Sequence, residues 1–145
     1  MSKAKDLFAR GFNVFHRNLV RLTKGRVGGR ALRMPVVELT TTGRKSGKRR
    51  SVMLTSPVHD DDTFVLVASY GGDDRHPAWY LNLCDNPDVE IFAGGTTRQM
   101  RARVATVEEK TELWPRVIEI YKGYAAYQKR TDRDIPLVIL EPSTG

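Results

Sequence analysis

Cysteine occurs once in this 145-residue chain, at Cys84, and histidine three times, at His16, His59 and His76. A single thiol cannot close an internal disulfide, and the scattered imidazoles offer no spacing for structural zinc, so cross-links and metal sites are excluded and no metal is expected. No apolar run approaches the roughly 20 residues of a membrane-spanning helix, and no signal-peptide pattern opens the chain. The expected location is therefore cytoplasmic. Also missing are a nucleophile with a convincing base, paired carboxylates in a shared motif, a Walker A loop and a GxGxxG turn. An enzyme built from these residues would take its reactivity from a cofactor and supply binding, orientation and electrostatics.

Acids are scarce in the first 50 residues, which hold 14 Lys/Arg against only Asp6 and Glu38, or +12; the remainder carries 10 Lys/Arg against 15 acids, or −5. A basic half of this kind implies an acidic partner: nucleic acid, an anionic membrane surface or a phosphorylated small molecule. Nucleic acid is the poorest fit, because the aromatics beside those cations are Phe8, Phe12 and Phe15 on one apolar helical face, with no Tyr or Trp to stack on bases.

The charge concentrates in Gly43-Arg44-Lys45-Ser46-Gly47-Lys48-Arg49-Arg50, five cations, two glycines and a hydroxyl in eight residues between two β-like runs. Glycines bring backbone N–H groups close to a ligand, and arginines offer planar two-pronged donors that match phosphate. An anion site is one outcome. A solvated hairpin tip that keeps a sheet edge soluble is the other.

Taken in order, residues 4–24 set Leu7, Phe8, Phe12, Phe15, Leu19 and Leu22 at helical spacing among basic residues. That is a basic amphipathic helix, whose stripe packs on the domain or touches a membrane surface. Residues 25–145 form one domain. Strands are expected at Met34–Thr42, Ser51–His59 and Thr63–Tyr70, then a short helix from Pro77 to near Asn86, strands at Asp88–Ala93 and Arg98–Val107 around Gly94-Gly95, a helix from Glu108 to Lys122 interrupted at Trp114-Pro115, a helical turn at Tyr124–Arg130 and a closing strand at Ile135–Glu141. Six mainly antiparallel strands with marginal helices predict an α+β fold whose sheet curls into a small barrel.

Two constellations suit a flat ligand. Tyr121, Tyr124 and Tyr127 recur every three residues, so they share a helical face as either a packing stripe or a phenol-lined pocket. Trp79 and Asn82 stand one turn apart after Ser69-Tyr70-Gly71-Gly72, and these residues frame a planar heterocycle or simply cap structure.

With those residues in view, the sequence resembles the deazaflavin-dependent nitroreductase and quinone reductase family of actinobacteria, split β-barrel oxidoreductases that use coenzyme F420. The resemblance runs from about Thr23 through RLTKGRVGGR, LTTTGRKSGKRR, ASYGGDDRHPAWYLNLCDNPDVEI and YKGYAAYQKRTDRDIPLVILEP, in that order. It implies that Arg44, Lys45, Ser46 and Arg50 hold the coenzyme's phosphate and acidic tail. It places Val52, Met53, Ser69, Tyr70, Gly71, Gly72, Trp79 and Asn82 beside the deazaflavin. Ser69, Tyr121, Tyr124 and Tyr127 then face the second substrate, with Tyr124 as the proton donor. The implied reaction passes a hydride from the reduced deazaflavin to a quinone, nitro compound or other electrophilic acceptor; quinones such as menaquinone are the first choice, and residues 4–24 are a candidate peripheral membrane contact. Met53 and Ser56 stand where relatives commonly carry proline and tyrosine, and the smaller Ser56 implies a wider acceptor pocket. Tyr70 replaces a lysine of some relatives. Alternatives are an FMN-binding split-barrel reductase and a non-catalytic deazaflavin carrier.

Overall fold

The computed structural model describes residues 34–60 and 62–143, so the amphipathic stretch expected at 4–24 lies outside the described residues. Among the described residues there are seven strands: β1 Val36–Thr42, β2 Arg49–Thr55, β3 Val58–His59, β4 Phe64–Val67, β5 Asp88–Ala93, β6 Thr96–Val104 and β7 Leu137–Pro142. They form one antiparallel sheet in the order β2-β1-β5-β6-β7-β4-β3. Helices α1 Ala78–Asp85, α2 Val107–Ile120 and α3 Gly123–Lys129 flank it.

The seventh strand comes from splitting the single run expected at Ser51–His59. Pro57 has no N–H to give a ladder, so β2 stops at Thr55 and β3 leaves to pair with β4 instead of β1. Ser56 N–H still reaches back to Pro35 O at 3.0 Å. The third strand is also shorter than expected: β4 ends at Val67, and Tyr70–Gly72 forms a 3₁₀ turn rather than strand.

Alternation divides the buried side chains between the two faces of the sheet. Val37 and Leu39 of β1, Val89 and Ile91 of β5, Met100 and Ala102 of β6 and Val138 and Leu140 of β7 make the concave core, closed by Trp79 and Leu83 of α1. Val65, Val67, Leu137 and Ile139 point the other way, onto Leu113 and Val117 of α2 and Tyr124 of α3. Strands β4 and β7 are buried on both faces, which is why their sequences read as continuous apolar runs. The β5–β6 hairpin turns through Gly94 (φ 57°) and Gly95 (φ 79°), the paired left-handed geometry that matches strand twist.

Helix α2 opens with a reciprocal cap, Glu109 N–H donating to Thr106 Oγ1 and Thr106 N–H to Glu109 Oε1. It runs through Trp114-Pro115 without the expected interruption. Pro115 lies on the exposed face, where water can satisfy the carbonyl that its missing N–H leaves open.

Short β3 and cationic β2 are the two ends of the curled sheet and do not pair with one another. The barrel is therefore split, with β2 on one lip of the opening and the end of β4 on the other.

Candidate active site

A cleft of about 1010 Å³ occupies this opening, lined by Val52–Thr55 of β2 on one side and Leu66, Val67 and Ser69 on the other. Helix α1 contributes its floor through Trp79, and Tyr121, Tyr124 and Tyr127 close one end. Its size is at the upper end of the usual range for small-molecule sites. Of the residues singled out from sequence, Arg44, Lys45, Ser46, Arg50, Val52, Met53, Ser69, Tyr70, Gly71, Trp79, Asn82 and the three tyrosines all line it. Gly72 does not: it is buried behind the wall, where a Cβ would meet Tyr127 O at 2.8 Å.

The cationic mouth is the β1–β2 turn. Gly43 N–H donates to Lys48 O at 2.7 Å and Gly47 N–H to Gly43 O at 2.8 Å, with Gly47 left-handed at φ 71°. Ser46 Oγ accepts from Lys48 N–H at 3.1 Å, which leaves its own O–H free to donate outward. Arg44 N–H is bound by Asn82 Oδ1 at 3.1 Å, and Asn82 Nδ2 donates to Thr41 Oγ1 at 3.1 Å. Asn82 thus bolts the turn to α1, with both ends of its amide already committed. Arg44, Lys45, Lys48 and Arg50 form no ion pair among the described residues, whereas Arg75, Arg101, Arg103 and Lys110 each have a carboxylate. Cations gathered in this way on one glycine-bent turn have the chemistry to receive an anion.

The opposite wall is the 68–73 loop. Tyr70 (φ 46°), Gly71 (φ 64°) and Gly72 (φ 84°) are consecutively left-handed, and for tyrosine that conformation costs about 1–2 kcal/mol. Tyr70 is half exposed, with Arg75 above its ring at 5.7 Å. Ser69 is only 8% exposed, and its hydroxyl has no hydrogen-bond partner among the described residues. A buried O–H facing a cleft without a partner is costly unless a ligand satisfies it.

At the aromatic end, Tyr121 has left the helix as the C-cap of α2, yet its ring still meets Tyr124 edge-on at 5.1 Å and Tyr127 at 6.4 Å. The trio therefore gathers through the kink between α2 and α3, not along the single helical face that its spacing suggested. Tyr124 is 6% exposed, with its hydroxyl 3.2 Å from Thr55 Oγ1 across the opening and 3.7 Å from Met34 Sδ. Burial pushes its pKa up, against the Thr55 hydrogen bond, so it is a neutral phenol at physiological pH. Tyr127 is also raised, chiefly by its 3.5 Å hydrogen bond with Tyr121.

Ser56 plays no part in the cleft. It is fully buried, with its hydroxyl shared between Val58 O at 3.0 Å and Val65 O at 2.9 Å, so its small size shapes the barrel wall and not the pocket. Thr55 and Met34 hold the places beside Tyr124 instead. No signal in the sequence distinguishes Thr55 from its neighbours; its role follows from β2 being the lip of the opening.

A curled antiparallel sheet, split beside β2 and holding a cationic and aromatic cleft, defines a split β-barrel of the flavin-reductase and pyridoxamine-phosphate-oxidase fold class. Comparison with known proteins narrows this class. The family model described as F420H(2)-dependent quinone reductase matches residues 14–142, and the chain belongs to that family. An F420H(2)-dependent quinone reductase of Mycobacterium tuberculosis is 40% identical over 129 residues, covering 86% of each protein. The solved F420-H2 dependent reductase FDR-A is 44% identical with a TM-score of 0.67, over 74% of this chain and 94% of that one. A pyridoxinephosphate oxidase family protein from Clostridium acetobutylicum, 14% identical with a TM-score of 0.53 over 88% of this chain and 84% of that one, shares the fold alone. The protein is thus an oxidoreductase that uses reduced coenzyme F420 to reduce quinones.

The residues present fit that coenzyme. The cationic turn suits a phosphate and an acidic tail, and the Ser69 hydroxyl, without a partner among the described residues and lining the same cleft as Trp79, suits a polar edge of a flat ring. Among the described residues no helix is long and apolar enough to cross a membrane.

Proposed function

We propose that the cleft binds the coenzyme with its phosphate and acidic tail at Arg44, Lys45, Ser46 and Arg50 and its ring between Trp79, the Val52–Met53 lip and the Ser69–Gly71 wall. The observation that carries this is the orphaned pair of features at the two ends of one cleft: cations without carboxylates on the turn, and a buried hydroxyl without a partner on the wall. When bound, the reduced coenzyme supplies the hydride.

The chain's own work is positioning. Trp79 offers a wall for stacking, and near-attack catalysis requires reacting atoms within about 3–3.5 Å, so a rigid wall matters more than a reactive side chain. Tyr121 and Tyr127 border the space left for the acceptor, beside the apolar Met34, Val36 and Leu54. This mixture suits a menaquinone, whose ring is flat and whose tail is apolar. Tyr124, neutral and hydrogen-bonded to Thr55, donates the proton that a quinone oxygen needs as the quinone gains the hydride. The basic amphipathic sequence of residues 4–24 brings this cleft to the anionic membrane surface where a lipid quinone resides.

The deciding experiment is the double variant Arg44→Ala/Lys45→Ala. Its coenzyme dissociation constant rises on the order of a hundredfold, since two charge-assisted contacts are lost, while its thermal midpoint stays within a few degrees because both side chains are exposed. Unchanged affinity would remove the turn from the site.

A further inference from the structure

We propose that Arg133 is a positioning residue for coenzyme binding: its guanidinium, oriented by His76, holds the Ala68–Asp73 loop so that Ser69 and the Tyr70–Gly71 backbone face the cleft. The inference rests on the assignment of that cleft to the coenzyme.

Arg133 lies in the connection between α3 and β7, and nothing in its sequence surroundings, Thr131-Asp132-Arg133-Asp134, marks it out from a surface arginine. Its partners do. Nε donates to Asp73 O at 2.8 Å, Nη1 to Ala68 O at 3.1 Å and Nη2 to Ser69 O at 2.8 Å, and Nη1 also approaches His76 Nδ1 at 3.2 Å. Three carbonyls from one six-residue loop therefore converge on one planar cation. Left alone, those carbonyl dipoles would repel, and the left-handed run Tyr70-Gly71-Gly72 would lose its main restraint. The rigid fork of arginine satisfies several directions at once, which a lysine ammonium on a flexible stem cannot reproduce. Arg130 adds a second, weaker tie from the same segment, Nη1 to Gly71 O at 3.2 Å.

His76 completes the device. To accept from Arg133, Nδ1 must be unprotonated, which places the ring proton on Nε2. Its ring packs on Tyr80 of α1 at 4.7 Å. The acids of its own loop are otherwise engaged, Asp73 with Arg75 and Asp74 with Thr131 Oγ1 at 2.8 Å. No carboxylate is hydrogen-bonded to His76 among the described residues, so its protonation sets a cation against the Arg133 guanidinium. Burial and that charge lower its pKa, in the direction this arrangement requires.

The test uses the full chain in a Trp114→Phe background, which leaves Trp79 as its only tryptophan and a reporter inside the cleft. Coenzyme F420 is titrated into this protein and into Arg133→Lys, His76→Asn and His76→Leu versions, with amide hydrogen exchange at residues 68–73 measured on the free proteins. The expected result for Arg133→Lys is a dissociation constant raised about tenfold, with faster exchange confined to the loop. Asparagine keeps an acceptor for Arg133, so His76→Asn binds as the parent does while His76→Leu binds several-fold more weakly. Acidification through the pKa of His76, which lies below its ordinary value of about 6.5, weakens binding by the parent but not by His76→Asn. Equal affinity and equal exchange in Arg133→Lys and the parent would overturn the proposal. Should Arg133→Lys fail to fold, equal affinity of the two His76 variants would overturn it instead. A parent protein whose Trp79 does not respond to the coenzyme would overturn the cleft assignment, and the exchange comparison would then report separately on whether Arg133 holds the loop.

Discussion

Tyr124 shows what a single residue contributes. Its hydroxyl spans the split of the barrel to Thr55, so removing it subtracts a hydrogen bond worth about 1 kcal/mol together with the proposed proton donor. Tyr124→Phe is expected to lower turnover with a menaquinone analogue by about 10²-fold while coenzyme affinity stays within a factor of about two; steady-state kinetics beside a binding titration checks both. Wild-type turnover would mean that the proton comes from elsewhere. His76 gives a prediction about stability. Its pKa is lowered in the folded protein by burial and by Arg133, so between that value and about 6.5 the unfolded chain binds more protons than the native one. Stability is therefore level above about 6.5 as far as this residue is concerned, and falls as the pH drops through that window. Denaturation of the parent and of His76→Asn over this range should show a slope in the first that is reduced in the second. At this scale the sequence is informative about side-chain chemistry and silent about direction. The tyrosines and the Gly43–Arg50 cations stand out by type and spacing, whereas Ser56, buried against Val58 and Val65, is indistinguishable from the neighbouring Thr55 that does face the cleft.

At the scale of elements, the strongest local device is the start of α2. Glu109, only 1% exposed, caps Thr106 and takes a two-pronged pair from Arg103 at 2.7 and 2.8 Å, while Arg103 also holds Glu141 of β7 at 2.9 Å. Burial works against the charge on Arg103, yet its hydrogen bonds to both glutamates raise its pKa. Glu109→Ala leaves a half-buried guanidinium short of a partner and the Thr106 N–H without its acceptor, and should cost about 3 kcal/mol in urea denaturation; Thr106→Ala removes the side-chain cap alone, at about 1 kcal/mol. A loss under about 1 kcal/mol for Glu109→Ala would show that Glu141 alone suffices. Element types are legible because turn chemistry is local: Gly94-Gly95 and Pro77 speak in the sequence, whereas Thr106, the cap of α2, falls inside the strand expected to run to Val107. Two of the departures are also local in origin but context decides them. Pro57 ends β2, although a bulge would have kept the strand whole, and Pro115 sits harmlessly in α2 because its face of the helix is open to water.

The molecule as a whole is organised by a contact that no local pattern reveals. Strands β2 and β4, far apart in the sheet order, meet across a cleft only because five intervening pairings curl the sheet. For this reason periodicity picks out the candidate cleft residues in separate clusters without joining them into one site. It likewise carries no trace of Arg133, which connects the loop after α3 to the wall after β4. Charge acts at the same scale. With five cations on the Gly43–Arg50 turn, coenzyme binding should weaken as added salt shortens the screening length from about 10 Å at 0.1 M toward about 3 Å at 1 M. That salt dependence should flatten in Arg44→Ala/Lys45→Ala. The most direct test of a deazaflavin-to-quinone hydride transfer in this cleft is a titration of the protein with reduced coenzyme F420 and separately with FMN, following Trp79. A menaquinone analogue is then added while the coenzyme's absorbance is watched. Selective binding of the deazaflavin, a response from Trp79 and rapid reoxidation on adding the quinone are the predicted results. Preference for FMN, or a bound coenzyme that stays reduced in the presence of the quinone, would contradict them.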